Sequence, residues 1–206
     1  MIKSYLKKVK ARYDFFKQNV FFSVNNLKKE RQIFTHLTDQ EKILLYSFVG
    51  KHKALDIVAV EIGSYFGASS CIIAAALKNK GTLYCIDTWE NQTMPEGLLD
   101  TYEEFVKNTK KYEAVIVPLR GWSFDMAAKF KSINKKIDFL FIDGDHSYDG
   151  CKSDWDLYHK FLGSGSIIAF HDTGWAEGVQ RVIRENVLCV ASKVAELPNM
   201  QVFMFK

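Results

Sequence analysis

From residue 56 to the end of the chain, short apolar runs alternate with amphipathic runs. No other feature constrains the fold as much. Strands are expected at 56–61, 82–87, 113–118, 137–143 and 166–171. Helices are expected between and after them, at 67–79, 98–110, 122–132, 149–162 and 177–187. A closing pair at 190–196 and 201–206, joined by Leu197-Pro198-Asn199, reads as a hairpin. Such alternation gives an open, mostly parallel sheet with helices on both faces. The expected architecture is an α/β, doubly wound sheet over 55–206, with one strand turned antiparallel by the hairpin.

Residues 1–54 stand apart as a helical extension. Ile2, Tyr5, Leu6, Val9, Tyr13, Phe16 and Val20 recur at three- and four-residue steps, which predicts a helix over 1–31. Residues 1–31 hold nine Lys/Arg against Asp14 and Glu30, a net +7, so the rest of this +4 chain carries −3. The basic character belongs to the extension, which argues against a general nucleic-acid-binding domain. A basic amphipathic helix can lie on an anionic membrane or dock on a partner. The expectation here is that its apolar face packs on its own domain or on a sister subunit, with membrane contact left open. Thr38-Asp39-Gln40-Glu41 reads as a capping box opening a second helix that runs to about Val49.

With 48% apolar and 25% charged residues, the 206-residue chain has the composition of a soluble globular protein. No run is long enough to span a bilayer. The four cysteines, Cys71, Cys85, Cys151 and Cys189, are scattered. Three lie in apolar or helical runs, which points to buried thiols and a reducing, cytoplasmic setting.

The chemistry concentrates where the strands end. Asp56–Ser70 is an apolar run closing on Glu61, then Gly63 and Gly67, with Ser69 and Ser70 behind. It reads as a buried strand breaking through a tight glycine turn into a helix, a place where a ligand can approach backbone closely. The Gly-x-x-x-Gly spacing departs from the dinucleotide fingerprint Gly-x-Gly-x-x-Gly, so the ligand is nucleotide-like without favouring NAD. The second strand ends on Asp87, and the third runs into Arg120-Gly-Trp-Ser-Phe124. The fourth ends on Asp143 and continues Gly144-Asp145-His146, and the fifth ends on His171-Asp172-Thr173. In open α/β sheets ligands sit outside the carboxyl ends of the strands, so five polar ends in register mark one site.

In order and spacing these blocks resemble the class I S-adenosylmethionine-dependent methyltransferases, which are Rossmann-like with a seven-stranded sheet. Within them the likeness is to the small metal-dependent O-methyltransferases. Glu61-Ile-Gly-Ser-Tyr-Phe-Gly-Ala-Ser69 resembles the cofactor loop of catechol O-methyltransferase. Ile142-Asp-Gly-Asp-His-Ser-Tyr148 with Ala169-Phe-His-Asp-Thr173 is similar to the bacterial branch of macrocin O-methyltransferase-like and cephalosporin-hydroxylase-like proteins. The resemblance covers roughly 55–206. It implies that Glu61, Gly63, Ser64, Tyr65, Gly67 and Ser69 surround the methionine part of S-adenosylmethionine. Asp87 would take the ribose hydroxyls with Trp89 beside it, and Ser123, Trp122 and Phe124 the adenine. Asp143 is shared between cofactor and metal, and Asp143, His171 and Asp172 fall on the metal-ligand positions. His171 replaces an acid of the catechol enzyme. Oxygen ligands suit Mg²⁺, and a histidine also admits Mn²⁺ or another divalent ion. His146 stands where the catechol enzyme has its lysine base, with Asp145 as the alternative.

The implied function is transfer of a methyl group to a hydroxyl of a small molecule such as a sugar or polyketide, the expected partners being that acceptor and, in a homodimer, a sister subunit. Two other readings stay open: a non-catalytic cofactor-binding or membrane-associated accessory protein of the same fold, and a dinucleotide oxidoreductase. Each residue also has a plainer role. His146 can brace the Gly144 turn, His171 can orient Asp172, and Asp87 can cap a helix. Asp154 and Asp156 read as the solvated face of their helix, and Trp155 as core. Residues 88–98 are the longest irregular stretch and the candidate lid.

Overall fold

Ile57–Ile62 is buried at every position, as a strand must be when it has neighbours on both sides and helices over both faces. This strand, β1, is the centre from which the rest of the computed structural model builds. The structure describes residues 2–52, 55–90, 97–133 and 135–206, with side chains in the first helix from residue 10 onward. Residues 91–96 of the candidate lid lie outside it. The chain runs α1 (Ile2–Val24), α2 (Asp39–Gly50), β1, α3 (Ala68–Leu77), β2 (Gly81–Asp87), α4 (Tyr102–Thr109) and β3 (Ile116–Arg120). It continues with α5 (Ser123–Ile133), β4 (Ile137–Ile142), α6 (Tyr148–Tyr158), β5 (Leu162–His171), α7 (Glu177–Val182), β6 (Ala191–Leu197) and β7 (Met200–Phe205).

The seven strands form one sheet in the order β3-β2-β1-β4-β5-β7-β6. β1 pairs in parallel with β2 and β4, and β7 is antiparallel to both β5 and β6. This is the doubly wound α/β sheet with one reversed strand that the alternation predicts. Strand order reverses between β1 and β4, which opens a crevice at their carboxyl ends.

The two-residue period of the strands sorts the core into two layers. Ile57, Ala59, Leu83, Cys85, Phe139 and Phe141 face α3 and the helical extension. Val58, Val60, Tyr84, Ile86, Leu140 and Ile142 face α5, α6 and α7. The extension shares the first layer: Phe22, Leu27, Leu37, Leu45 and Val49 are buried in it beside Ile72, Ile73 and Ala76 of α3. Buried polar contacts tie it down further. Glu30 accepts from Lys111 Nζ at 2.7 Å and Tyr112 Oη at 2.8 Å, and Lys42 Nζ donates to the Arg31 carbonyl at 2.9 Å.

Several boundaries differ from the sequence expectation for local reasons. The first helix stops at Val24 because the chain turns through Asn25-Asn26, where Asn26 takes a left-handed φ of 56°. Asparagine tolerates that conformation better than most residues. β3 lies at 116–120 instead of 113–118, with Pro118 inside it. It is an edge strand, where a missing N–H is tolerated. β5 begins four residues early, at Leu162, because Gly163-Ser-Gly165 reads as a loop but continues the strand past an irregularity in its pairing with β4. The expected helix over 177–187 changes to a wider π turn at Ile183–Val187. The capping box at Thr38 and Glu41 forms as expected. Cys71, Cys85 and Cys151 are buried free thiols, and Cys189 is exposed.

Candidate active site

The carboxyl ends of β1, β2, β3, β4 and β5 open into a cavity of about 560 Å³. Its floor is the glycine turn. Gly63, Tyr65 and Gly67 all take left-handed φ, at 86°, 46° and 84°. A Cβ on Gly63 would lie 2.1 Å from the Asp143 carbonyl oxygen, so glycine is what lets the β1 turn lie against the end of β4. Asp143 N–H donates to the Ile62 carbonyl at 2.8 Å, extending that junction one residue past both strands.

Asp87 braces the turn from β2. Its Oδ2 accepts from the backbone N–H groups of Ser64 (2.7 Å) and Tyr65 (2.8 Å), and its Oδ1 from that of Trp89 (2.7 Å). A carboxylate has about four lone-pair positions, so these three bonds leave about one on a residue that lines the cavity. Trp89 is fully buried. Its indole N–H donates to the Tyr65 carbonyl at 3.0 Å and its ring packs on Tyr102 and Phe105. It supports the turn from beneath and is not a wall residue of the cavity. Glu61 is likewise fully buried behind the turn, where its Oε2 accepts from the Ser64 hydroxyl at 2.7 Å and from the Ser70 hydroxyl. Its Oε1 has no partner among the described residues. Burial raises its pKa to about 7 against the opposing pull of the Ser69, Ser70 and Ser64 hydroxyls. Ser64, Tyr65, Ser69, Ser123 and Phe124 are on the cavity wall.

At the far end, β4 and β5 bring acids and imidazoles together. His146 Nε2 lies 2.7 Å from Asp172 Oδ2, and its ring edges Trp175. Its Nδ1 has no hydrogen-bond partner among the described residues, and the residue lines the cavity. Asp172 also accepts at Oδ1 from Trp175 Nε1 (2.7 Å) and Asn199 Nδ2 (3.0 Å). Its φ is +57°, a conformation an aspartate keeps only when its surroundings hold it. His171 is buried, with Nδ1 3.0 Å from Asp143 and 3.2 Å from Asp172, and Nε2 3.6 Å from Glu41 of α2. The donor atoms that converge in the cavity come from Asp143, His146 and Asp172, all within 4.8 Å of one another. His171 stands behind the two carboxylates and bridges them.

Charge follows from this packing. Burial resists the charge on Asp172, but His146 and His171 outweigh it and hold that carboxyl well below the usual range. The hydrogen bond to Asp172 raises the His146 pKa, against burial and with help from Asp143 and Asp145. Burial pushes Asp143 up despite His171. Burial also works against a charge on His171, but Asp143, Asp172 and Glu41 together raise its pKa to about 12. Asp145 is exposed at the rim, accepting from Ser147 N–H at 2.8 Å in a local turn.

Two contributions were missed in the sequence. Asp154, read there as solvated, is only 4% exposed and lines the cavity. Its Oδ1 accepts from the Ser123 hydroxyl, and its Oδ2 lies 3.3 Å from where a Cβ on Gly144 would stand. Glycine at 144 leaves that oxygen uncrowded, and no hydrogen bond to it is formed within the described residues. Burial raises this carboxyl to about 7, with the Ser123 hydroxyl opposing. The signal was available: Asp154 stands with Cys151, Trp155 and Tyr158 at helical spacing on the buried face of α6. The second contribution is the segment before α2. Phe34, Thr35, His36 and Leu37 line the cavity, and the Phe34 ring meets Tyr65 and Phe66 of the glycine turn.

A family model described as a methyltransferase domain matches residues 60–173. An uncharacterized protein, R132, of Acanthamoeba polyphaga mimivirus is 32% identical over 122 residues, 57% of this chain and 52% of that protein. The chain thus spans about half the length of this curated relative. Among solved structures, the O-methyltransferase NovP is 14% identical with a TM-score of 0.68, covering 84% of this chain and 82% of that one. The O-methyltransferase TomG of Streptomyces achromogenes, involved in tomaymycin synthesis and solved with S-adenosylmethionine, is 16% identical with a TM-score of 0.63, covering 82% and 81%. An O-methyltransferase of Bacillus cereus, solved with S-adenosylhomocysteine, is 14% identical with a TM-score of 0.62, covering 91% and 90%. At these identities the likeness is one of fold.

Proposed function

The chain belongs to the methyltransferase-domain family, and from that premise we propose that it transfers a methyl group from S-adenosylmethionine to a hydroxyl of a small molecule. The observation that carries the reading is the His146–Asp172 pair at 2.7 Å on the wall of a cavity whose floor is the glycine turn. When bound, S-adenosylmethionine supplies an electrophilic methyl on a sulfonium.

The residues suit such a cofactor. Left-handed glycines let the turn fold tightly against β4 and α4, and Gly63, Ser64 and Tyr65 of that turn line the cavity, which suits the close approach of a nucleoside. Asp154 and Ser123 form a polar recess beside Gly144, and the free Asp154 oxygen is an acceptor suited to the adenine amine. Asp143 presents a carboxylate between the turn and the catalytic pair, suited to an ammonium group. Asp172 fixes the His146 ring through Nε2, which leaves Nδ1 to take the acceptor's proton as general base. Phe34 and Trp175, both largely exposed at the cavity, give an aromatic rim on which a sugar or polyketide can stack.

A second reading is favoured by the convergence of Asp143, His146 and Asp172 within 4.8 Å. Two carboxylates and an imidazole suit a divalent cation, Mg²⁺ or Mn²⁺, which when bound would acidify the acceptor hydroxyl. In that case His146 is a ligand and the proton leaves by another route. The two readings separate by experiment. His146→Gln should keep S-adenosylhomocysteine binding within about threefold and lose methyl transfer by ~10²-fold or more. Chelator should leave the wild-type rate unchanged if His146 is the base, and abolish it, with rescue by Mg²⁺ or Mn²⁺, if the trio holds a cation. Full activity in His146→Gln would sink both.

A further inference from the structure

We propose that α1 docks the protein on an anionic lipid surface. The expectation from sequence was that its apolar face packs inward or on a sister subunit. In the structure the described part of that face, from Tyr13 on, points away from the body. Tyr13 (56% exposed), Phe16 (64%), Val20 (42%) and Val24 (74%) form an open apolar stripe. At ~100° per residue they fall on one side of the helix, opposite Phe22, which is fully buried in the core. Phe22 anchors the helix, and the stripe is left uncovered by the described residues.

Charge selects the occupant. Lys10 and Lys17 border the stripe on one edge and Arg12 on the other, and all three are exposed. Lys17 Nζ sits 4.4 Å from the centre of the Tyr13 ring, with its stem along the stripe. Asp14 is the only acid in the helix, against six Lys/Arg. Two copies packed along this stripe would bring cation against cation in either orientation, which disfavours self-pairing. A nucleic acid would satisfy the cations but not the aromatic and aliphatic stripe. A bilayer surface with anionic headgroups satisfies both at once, with apolar groups in the acyl boundary and cations at headgroup level. No helix among the described residues is long and apolar enough to cross a membrane, so the contact is one of lying on the surface.

The test is flotation of the full chain with vesicles of phosphatidylcholine alone and of phosphatidylcholine mixed with phosphatidylglycerol, at low and high salt. Binding to the anionic vesicles is expected, weakened by high salt and by roughly tenfold or more on neutral vesicles. The paired variants Phe16→Ser/Val20→Ser and Lys10→Glu/Lys17→Glu should each lower binding at least about tenfold. Because these side chains stand off the core, their thermal midpoints should match wild type, which separates lost docking from lost folding. Equal binding to both vesicle types, no flotation, or flotation indifferent to the variants would overturn the proposal. So would a homodimer that the apolar variant splits and that does not float, since a second copy would then cover the stripe.

Discussion

Asp154 shows how far a single side chain can mislead or inform. Its carboxyl is buried and its folded pKa is raised to about 7, above an unfolded value near ~3.9. The folded state therefore binds the proton more tightly, and stability falls as pH rises between those two values. The shift is worth on the order of 4 kcal/mol at most. Asp154→Asn, which keeps an acceptor for the Ser123 hydroxyl, removes that penalty. Thermal melts at pH 5 and pH 8 should show wild type losing stability across the interval and the variant losing much less. If the two proteins melt in parallel, Asp154 is not held as described. The same substitution tests the recess. At pH 8 the wild type should prefer S-adenosylhomocysteine over its inosine counterpart, which carries a carbonyl in place of the amine. Asp154→Asn, able to donate as well as accept, should lose or reverse that preference by about tenfold, since a buried unpaired group is costly. An unchanged preference by calorimetry would remove Asp154 from adenine recognition.

Elements carry the next level. Thr38 and Glu41 close the first turn of α2, and Glu41 also reaches His171 at 3.6 Å. Thr38→Ala should cost about 1 kcal/mol, the ordinary price of a lost cap. Glu41→Ala should cost more, because it also strips a carboxylate from beside a buried imidazole. Equal losses in denaturant unfolding would mean that Glu41 serves only as a cap. Gly63→Ala should destabilise by at least about 2 kcal/mol, since it combines a left-handed φ with a Cβ placed 2.1 Å from the Asp143 carbonyl oxygen; a melt within a degree of wild type would contradict that geometry. The strands and their alternation with helices were legible because buried strands are runs of apolar residues closed by turn residues. The strand-end part of the site was legible because Asp87, Asp143, His171 and Asp172 each close or follow a strand, whereas Phe34–Leu37 and Asp154 do not. What sequence left dark was contact between elements distant in the chain. Nothing local to Glu41 announces His171, and nothing local to Trp89 says that its ring goes beneath the turn. Asp154 was the exception, since its helical register with Trp155 already put it on the buried face.

At the scale of the molecule, sheet, extension and cavity form one arrangement. The sheet gathers five polar strand ends, and the extension shares its core and closes one side of the cavity through Phe34–Leu37. Whether this cavity holds S-adenosylmethionine, as proposed, is decided by calorimetric titration. S-adenosylmethionine should bind saturably at one site per chain, with or without Mg²⁺, and NADH should give no binding. Heat from NADH, or none from S-adenosylmethionine under any metal condition, would contradict the claim.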